Sequence, residues 1–261
     1  MLWEVYVLVE GYDDRAFWSG YLQQVVGLLR GDVAQRSPDC PSSTKRLLQR
    51  PARGQFTYLA PAKQVLTRVV PCASQGGSGP QATALRQRIE RRATDVEPRL
   101  SAIIDCRDDD GLEGEPPRRT VHSLLADVEK LDASAQQVGD MVALSDGTLV
   151  VPITWRVQAA STDLPRQQTL ERLVCAAVQR VYPDRLGCIA TWLASRPSPP
   201  SPDKHHKAAA GGLWSGWYNN HGWGNFYEAV WQDAALAAAL LELMPALAQP
   251  SLQVRFRAPP A

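Results

Sequence analysis

Two carboxylates in this chain stand where an apolar run gives way to a turn. Glu10 follows VYVLV and Asp105 follows LSAII; such β-rich runs hold a side chain rigidly at the carboxyl edge of a sheet, where open α/β folds collect ligands. A magnesium ion takes oxygen ligands, keeps several waters and is commonly held by one or two carboxylates plus a substrate phosphate. The pair therefore suits a Mg²⁺ (or Mn²⁺) site for chemistry on phosphate esters. More acids follow each position: Asp14 after Glu10, and Asp108 and Asp109 after Asp105. Asp13 and Asp14 also fall where a helix start favours acidic side chains, so capping is a second reason for their place. Glu171, in TLERLV, reads as a solvent-facing helical glutamate.

Basic residues complement these acids. Between Arg36 and Arg99 there are 12 Lys/Arg against 4 Asp/Glu, and between Ser101 and Val150 there are 4 against 11. Although the whole chain is only +1, these segments differ by +8 to −7, which suits an acidic cation site beside a surface that attracts nucleic acid, or simply two solvated faces. The pattern puts Arg86, Arg88, Arg91 and Arg92 on the outward face of a helix whose inward stripe is Ala82, Leu85, Ile89, Ala93 and Val96. Lys207, in KHHK after a proline cluster, is either a lysine that stabilises charge on phosphoryl oxygens or part of an exposed basic linker.

The elements that must position these groups alternate. Strands are expected at 3–9, 65–70, 100–104 and 148–155, and helices after Glu10, over 82–96, 121–131 and 167–182. This is an α/β fold: a mostly parallel sheet of about four strands with helices on both faces, extended at its C-terminus by a helical and aromatic segment. Residues 1–194 form the α/β domain, with a basic loop insertion at about 31–56, and 195–261 a Pro-rich linker and extension. The aromatic group from Trp214 to Trp231 reads as packing rather than as a base-stacking platform.

Five cysteines with no CxxC pair exclude a disulfide framework and a structural zinc. No apolar run reaches the roughly 18 residues of a membrane span, and the N-terminus lacks a signal-peptide pattern, so no membrane partner and a cytoplasmic location are expected. There is no GxxxxGK[ST] motif for nucleotide hydrolysis.

VLVEGYDDRAFW, followed about ninety residues later by AIIDCRDDDG, resembles the Toprim domain of topoisomerases, DnaG-type primases and overcoming-lysogenization-defect nucleases, and is most similar to prokaryotic Toprim-like proteins with a VEGxxD motif. The resemblance covers roughly the first 160 residues. It implies that Glu10 acts as metal ligand or general acid/base and Asp105 as metal ligand, that Asp14 matches an acid of nuclease members, and that the chain is a Mg²⁺-dependent nuclease or phosphoesterase acting on nucleic acid, in defence against mobile DNA. The family's second DxD aspartate falls on Arg107, and a guanidinium cannot ligate a cation. Either Asp108 or Asp109 replaces it, or the chain is an inert Toprim-like binding module partnering a separately encoded ATPase.

Overall fold

The run WEVYVLV, rich in β-branched and aromatic residues, forms β1 (Trp3–Val9) at the centre of a sheet. The computed structural model describes residues 1–38, 40–49, 54–62, 64–72, 79–92, 98–158, 163–201 and 204–259. After β1 come α1 (Tyr12–Tyr21), a π-helical turn (Leu22–Val26), β2 (Leu29–Arg30), α2 (Gly31–Ala34), α3 (Ser42–Gln49) and β3 (Phe56–Leu59). They are followed by β4 (Val65–Pro71), α4 (Gly79–Arg91), β5 (Arg99–Asp108), α5 (Val121–Val128), β6 (Gln136–Val138), β7 (Met141–Ala143) and β8 (Leu149–Trp155). The remainder is helical: α6 (Leu170–Val181), α7 (Pro183–Ser195), α8 (His205–Trp217), α9 (Trp223–Ala229), α10 (Ala234–Leu243), α11 (Pro245–Ala248) and α12 (Pro250–Arg257).

The sheet has eight strands in the order β2-β3-β4-β1-β5-β8-β7-β6. It is mixed, which corrects the expected four-stranded, mostly parallel sheet. β1 runs parallel to β4 and β5, whereas β2–β3, β3–β4, β6–β7 and β7–β8 are antiparallel. The overlooked strands are two to four residues long, such as QQV and LR, too short to show a period of two. The supposed insertion likewise contains α2 and α3. Ala93 and Val96 of the expected helical stripe lie outside the described residues.

The described chain forms two compact units. One comprises 1–107, 119–153 and 249–261, the other 108–118 and 154–248, so neither follows the expected division at residue 194. In the first unit, alternate residues of the sheet (Tyr6, Leu8, Ile103 and Val150) pack with Leu85 and Ile89 of α4 and Leu124 and Val128 of α5. Each such side chain contributes about 1.5–3 kcal/mol by leaving water. A second cluster joins Leu59 and Leu66 to Ala34 and Leu48, and Trp18 and Tyr21 of α1 meet Phe256 of α12 at ring separations of 6.2 and 6.5 Å.

The second unit is built around α6, whose residues Leu170–Val178 are all buried, against α7, α8 and α10. Glu171 is buried there rather than solvent-facing. Pro183 stands in the first turn of α7, where its missing N–H costs nothing, so regular structure runs to Ser195 before the proline cluster. The aromatic group packs as expected: Trp214 meets Trp223 edge-on at 5.6 Å, Trp223 stacks on Phe226 at 6.0 Å, and Phe226 and Tyr227 are fully buried.

Candidate functional site

Strand β5 carries the key residues by simple alternation. Ile103, Asp105 and Arg107 are two apart and share one face, and Ile103 fixes that face as the one covered by α4 and α5. Asp105 is thus inside the strand rather than beyond it, and the side chain beside it is Arg107, whose Nε lies 3.1 Å from Asp105 Oδ1. From α4, Gln81 Nε2 reaches three acceptors: Asp105 Oδ1 at 2.8 Å, the Cys106 carbonyl at 2.8 Å and the Leu8 carbonyl at 3.1 Å. Arg119 completes the group, its Nη2 2.9 Å from Asp105 Oδ2. Asp105 is 1% exposed and Arg107 4%.

Arg119 is held by the start of α5. Thr120 caps that helix: its hydroxyl accepts from Ser123 N at 3.2 Å, and Thr120 N donates to Ser123 Oγ at 3.0 Å. This reciprocal pair fixes the chain direction one residue after Arg119. Burial draws the Arg119 guanidinium below its usual range; the carboxylates Asp105 and Asp127 oppose that fall, while the like charge of Arg107 adds to it.

The group is not saturated. Arg107 Nη2, Arg119 Nε, Gln81 Oε1 and Asp105 Oδ2 are buried without a hydrogen-bond partner among the described residues. For Asp105 Oδ2 the short contact to Arg119 is an ion pair by distance whose angle does not make a hydrogen bond; the charge attraction stands because it needs no such alignment. Each unmet donor or acceptor costs about 1–3 kcal/mol, and buried orphans of this kind are uncommon in a folded chain. Arg107 and Arg119 also line a cleft of about 330 Å³ between α4 and α5, together with Arg86, Asp127 and Lys130.

The other expected ligands have separate engagements. Asp108 Oδ1 accepts from Leu170 N, at the start of α6, at 2.9 Å. Asp109, 3% exposed, accepts from Arg118 N at 2.9 Å and pairs with Arg156 Nη1 at 2.6 Å. Both belong to the second unit. Glu10 is half-buried in the turn after β1, two residues beyond Leu8, which is in register with Asp105. Asp14 is buried in the first turn of α1 and accepts from Gly11 N at 3.2 Å, the bond of a helix cap. Lys207 is exposed on α8 rather than in a linker.

These residues do not fit a divalent cation in this arrangement. Asp105 is neutralised by two guanidiniums, and among the described residues no three His, Cys, Asp or Glu side chains converge to hold a metal ion. The three arginines of α4 and Arg92 just beyond it do not share one open face either. Arg86 is exposed and pairs with Glu90 at 2.8 Å, Arg91 is exposed, Arg88 lies 3.9 Å over the Tyr6 ring, and Arg92 turns inward to Asp132 at 2.5 Å.

Gln81 and Arg119 were not anticipated. Gln81 had a visible signal: it stands at i, i+4 and i+8 with Leu85 and Ile89, a polar residue at the head of a buried stripe. Arg119 had none, because its role depends on how α5 returns to the sheet.

No family model matches this chain, and no curated protein matches it. Among solved structures it is similar to the crystal structure of hypothetical protein PH0156 from Pyrococcus horikoshii OT3, with a TM-score of 0.64 and 13% identity over 97% of this chain and 100% of that one. That likeness supports the α/β fold with its mixed sheet. Among the described residues no helix is long and apolar enough to cross a membrane.

Proposed function

We propose that this chain is a Toprim-like binding module that holds nucleic acid through its phosphates without cleaving it, in partnership with a separately encoded ATPase. The observation that carries this reading is the clamp on Asp105. Where a metal-dependent phosphodiesterase needs a carboxylate free to meet a cation, Arg107 and Arg119 stand at 3.1 and 2.9 Å, and a third cation among them would be repelled. The same guanidiniums are the donors that suit phosphate oxygens. The basic bias of segment 36–99 adds the long-range attraction that gives nucleic-acid affinity its salt dependence.

Fluorescence anisotropy with a labelled oligonucleotide tests this directly. Binding is expected to be the same in EDTA and in Mg²⁺, to weaken with salt at a log–log slope of about 0.9 per phosphate on duplex DNA, and to leave the strand uncut in Mg²⁺ or Mn²⁺. Metal-dependent cleavage that disappears in Asp105→Asn would overturn the reading and restore the nuclease.

A further inference from the structure

We infer that the cleft between α4 and α5 is a binding site for a phosphate monoester, either a free nucleotide or the phosphorylated end of a nucleic-acid strand. The inference rests on the phosphate-binding reading above and names the chemistry recognised. Its floor is a pair of guanidiniums with unused hydrogens. Arg107 is only 4% exposed, yet among the described residues its Nη2 has no hydrogen-bond partner, and neither has Arg119 Nε. Both residues line the same cleft. Donors of this type in fork geometry match the oxygens of a phosphate, which can take two hydrogens from each guanidinium.

The charges and donors select the ligand further. Among the described residues the cleft, its floor and the acids paired to them bring four cations (Arg86, Arg107, Arg119 and Lys130) to three carboxylates (Asp105, Asp127 and Glu90), an excess of +1. A phosphate monoester presents three terminal oxygens and, above its second pKa of about 6, close to two negative charges, whereas an internal phosphodiester presents two free oxygens and one charge. Lys130 and Arg86 pair with exposed acids, Asp127 at 2.9 Å and Glu90 at 2.8 Å; such surface pairs are weak and can yield a cation to an incoming phosphate. The walls are apolar, with Ala82, Leu85, Val128 and Leu131, and a volume of about 330 Å³ lies within the span of small-ligand clefts, roughly 300–1,000 Å³. There is room for more than a bare phosphate.

Calorimetric titration of the full chain in EDTA with inorganic phosphate and with a nucleoside 5′-monophosphate, beside anisotropy with oligonucleotides ending in a 5′-phosphate or a 5′-hydroxyl, tests the inference. Inorganic phosphate is expected to bind one per chain, with affinity rising between pH 5.5 and 7.5 as its second proton leaves. Arg119→Gln should weaken it at least tenfold. Because Arg119 touches the buried Asp105, Lys130→Gln at the exposed rim is the second variant; it should weaken phosphate several-fold while leaving the thermal midpoint unchanged. A tenfold preference for the 5′-phosphorylated strand identifies a strand end as the source. Binding of phosphate and monophosphate with no oligonucleotide binding identifies a free nucleotide, sustains the cleft and removes the nucleic-acid reading. Equal binding of both oligonucleotides with no phosphate binding overturns the cleft and leaves that reading standing, and binding of none of the four probes overturns both.

Discussion

Two buried carboxylates four residues apart in sequence, Asp105 and Asp109, have each become partner to arginine, with opposite results. Asp109 has Arg156 Nη1 on one oxygen and the Arg118 amide on the other, and Arg156 Nη2 donates to the Glu115 carbonyl. Gly111 closes this arrangement, since a Cβ there would lie 2.8 Å from Asp109 Oδ2. Around Asp105 two guanidiniums and one amide share a single carboxylate, and donors and acceptors are left over. A saturated ion pair organises a loop, whereas an unsaturated one with excess positive charge keeps capacity for a ligand.

The largest effect should come from Asp105→Ala, which strands the buried guanidinium of Arg107 and the half-buried one of Arg119. We expect a loss of about 3–5 kcal/mol in urea unfolding, partly reversed by millimolar phosphate because the anion then replaces the missing charge. Asp109→Ala should cost about 3 kcal/mol by the same mechanism, but phosphate should not restore it; restoration there would erase the distinction between the two sites. Thr120→Ala removes the cap beside Arg119 and should cost about 1 kcal/mol, with a fall in phosphate affinity larger than that of a cap removed elsewhere, such as Asp233→Ala on α10.

The smallest effect concerns acid. Asp132 accepts from Ser145 N and Oγ and from Ser134 N and pairs with Arg92. The Ser145 amide leads in holding its carboxyl below the ordinary value of 3.8, against the opposing pull of burial. A depressed carboxyl stabilises the fold fully above its unfolded value and loses that contribution as pH falls through the lower folded value. Stability should therefore decline below about pH 4, and Asp132→Asn should flatten that acid limb in thermal melts taken from pH 5 to 2.

Much of this could be seen in the residues, and the misses are physical. VYVLV and LSAII foretold two strands of the sheet, because long apolar runs announce central strands, and they pair in parallel with Leu8 aligned to Asp105. The ending of β5 could not be seen: CRD looks like the start of a polar turn, yet it continues the strand, because Gln81 and Arg119 supply partners for polar side chains that the linear sequence leaves alone. Likewise four arginines on one helix look like one surface until Tyr6 and Asp132 arrive from elsewhere and divide them. Partners far along the chain decide the fate of a charge.

Helix α12 has a consequence for how this chain is made. Phe256 lies against Trp18 and Tyr21, and Arg257 donates to the carbonyls of Val25 and Val26 at the end of the π-helical turn. Residues made among the first thirty are thus completed by residues made more than two hundred positions later. During synthesis the first unit must wait, with the Trp18 and Tyr21 faces uncovered, while the whole of the second unit leaves the ribosome, so the nascent chain has a long interval in which a chaperone can occupy the place that Phe256 finally takes.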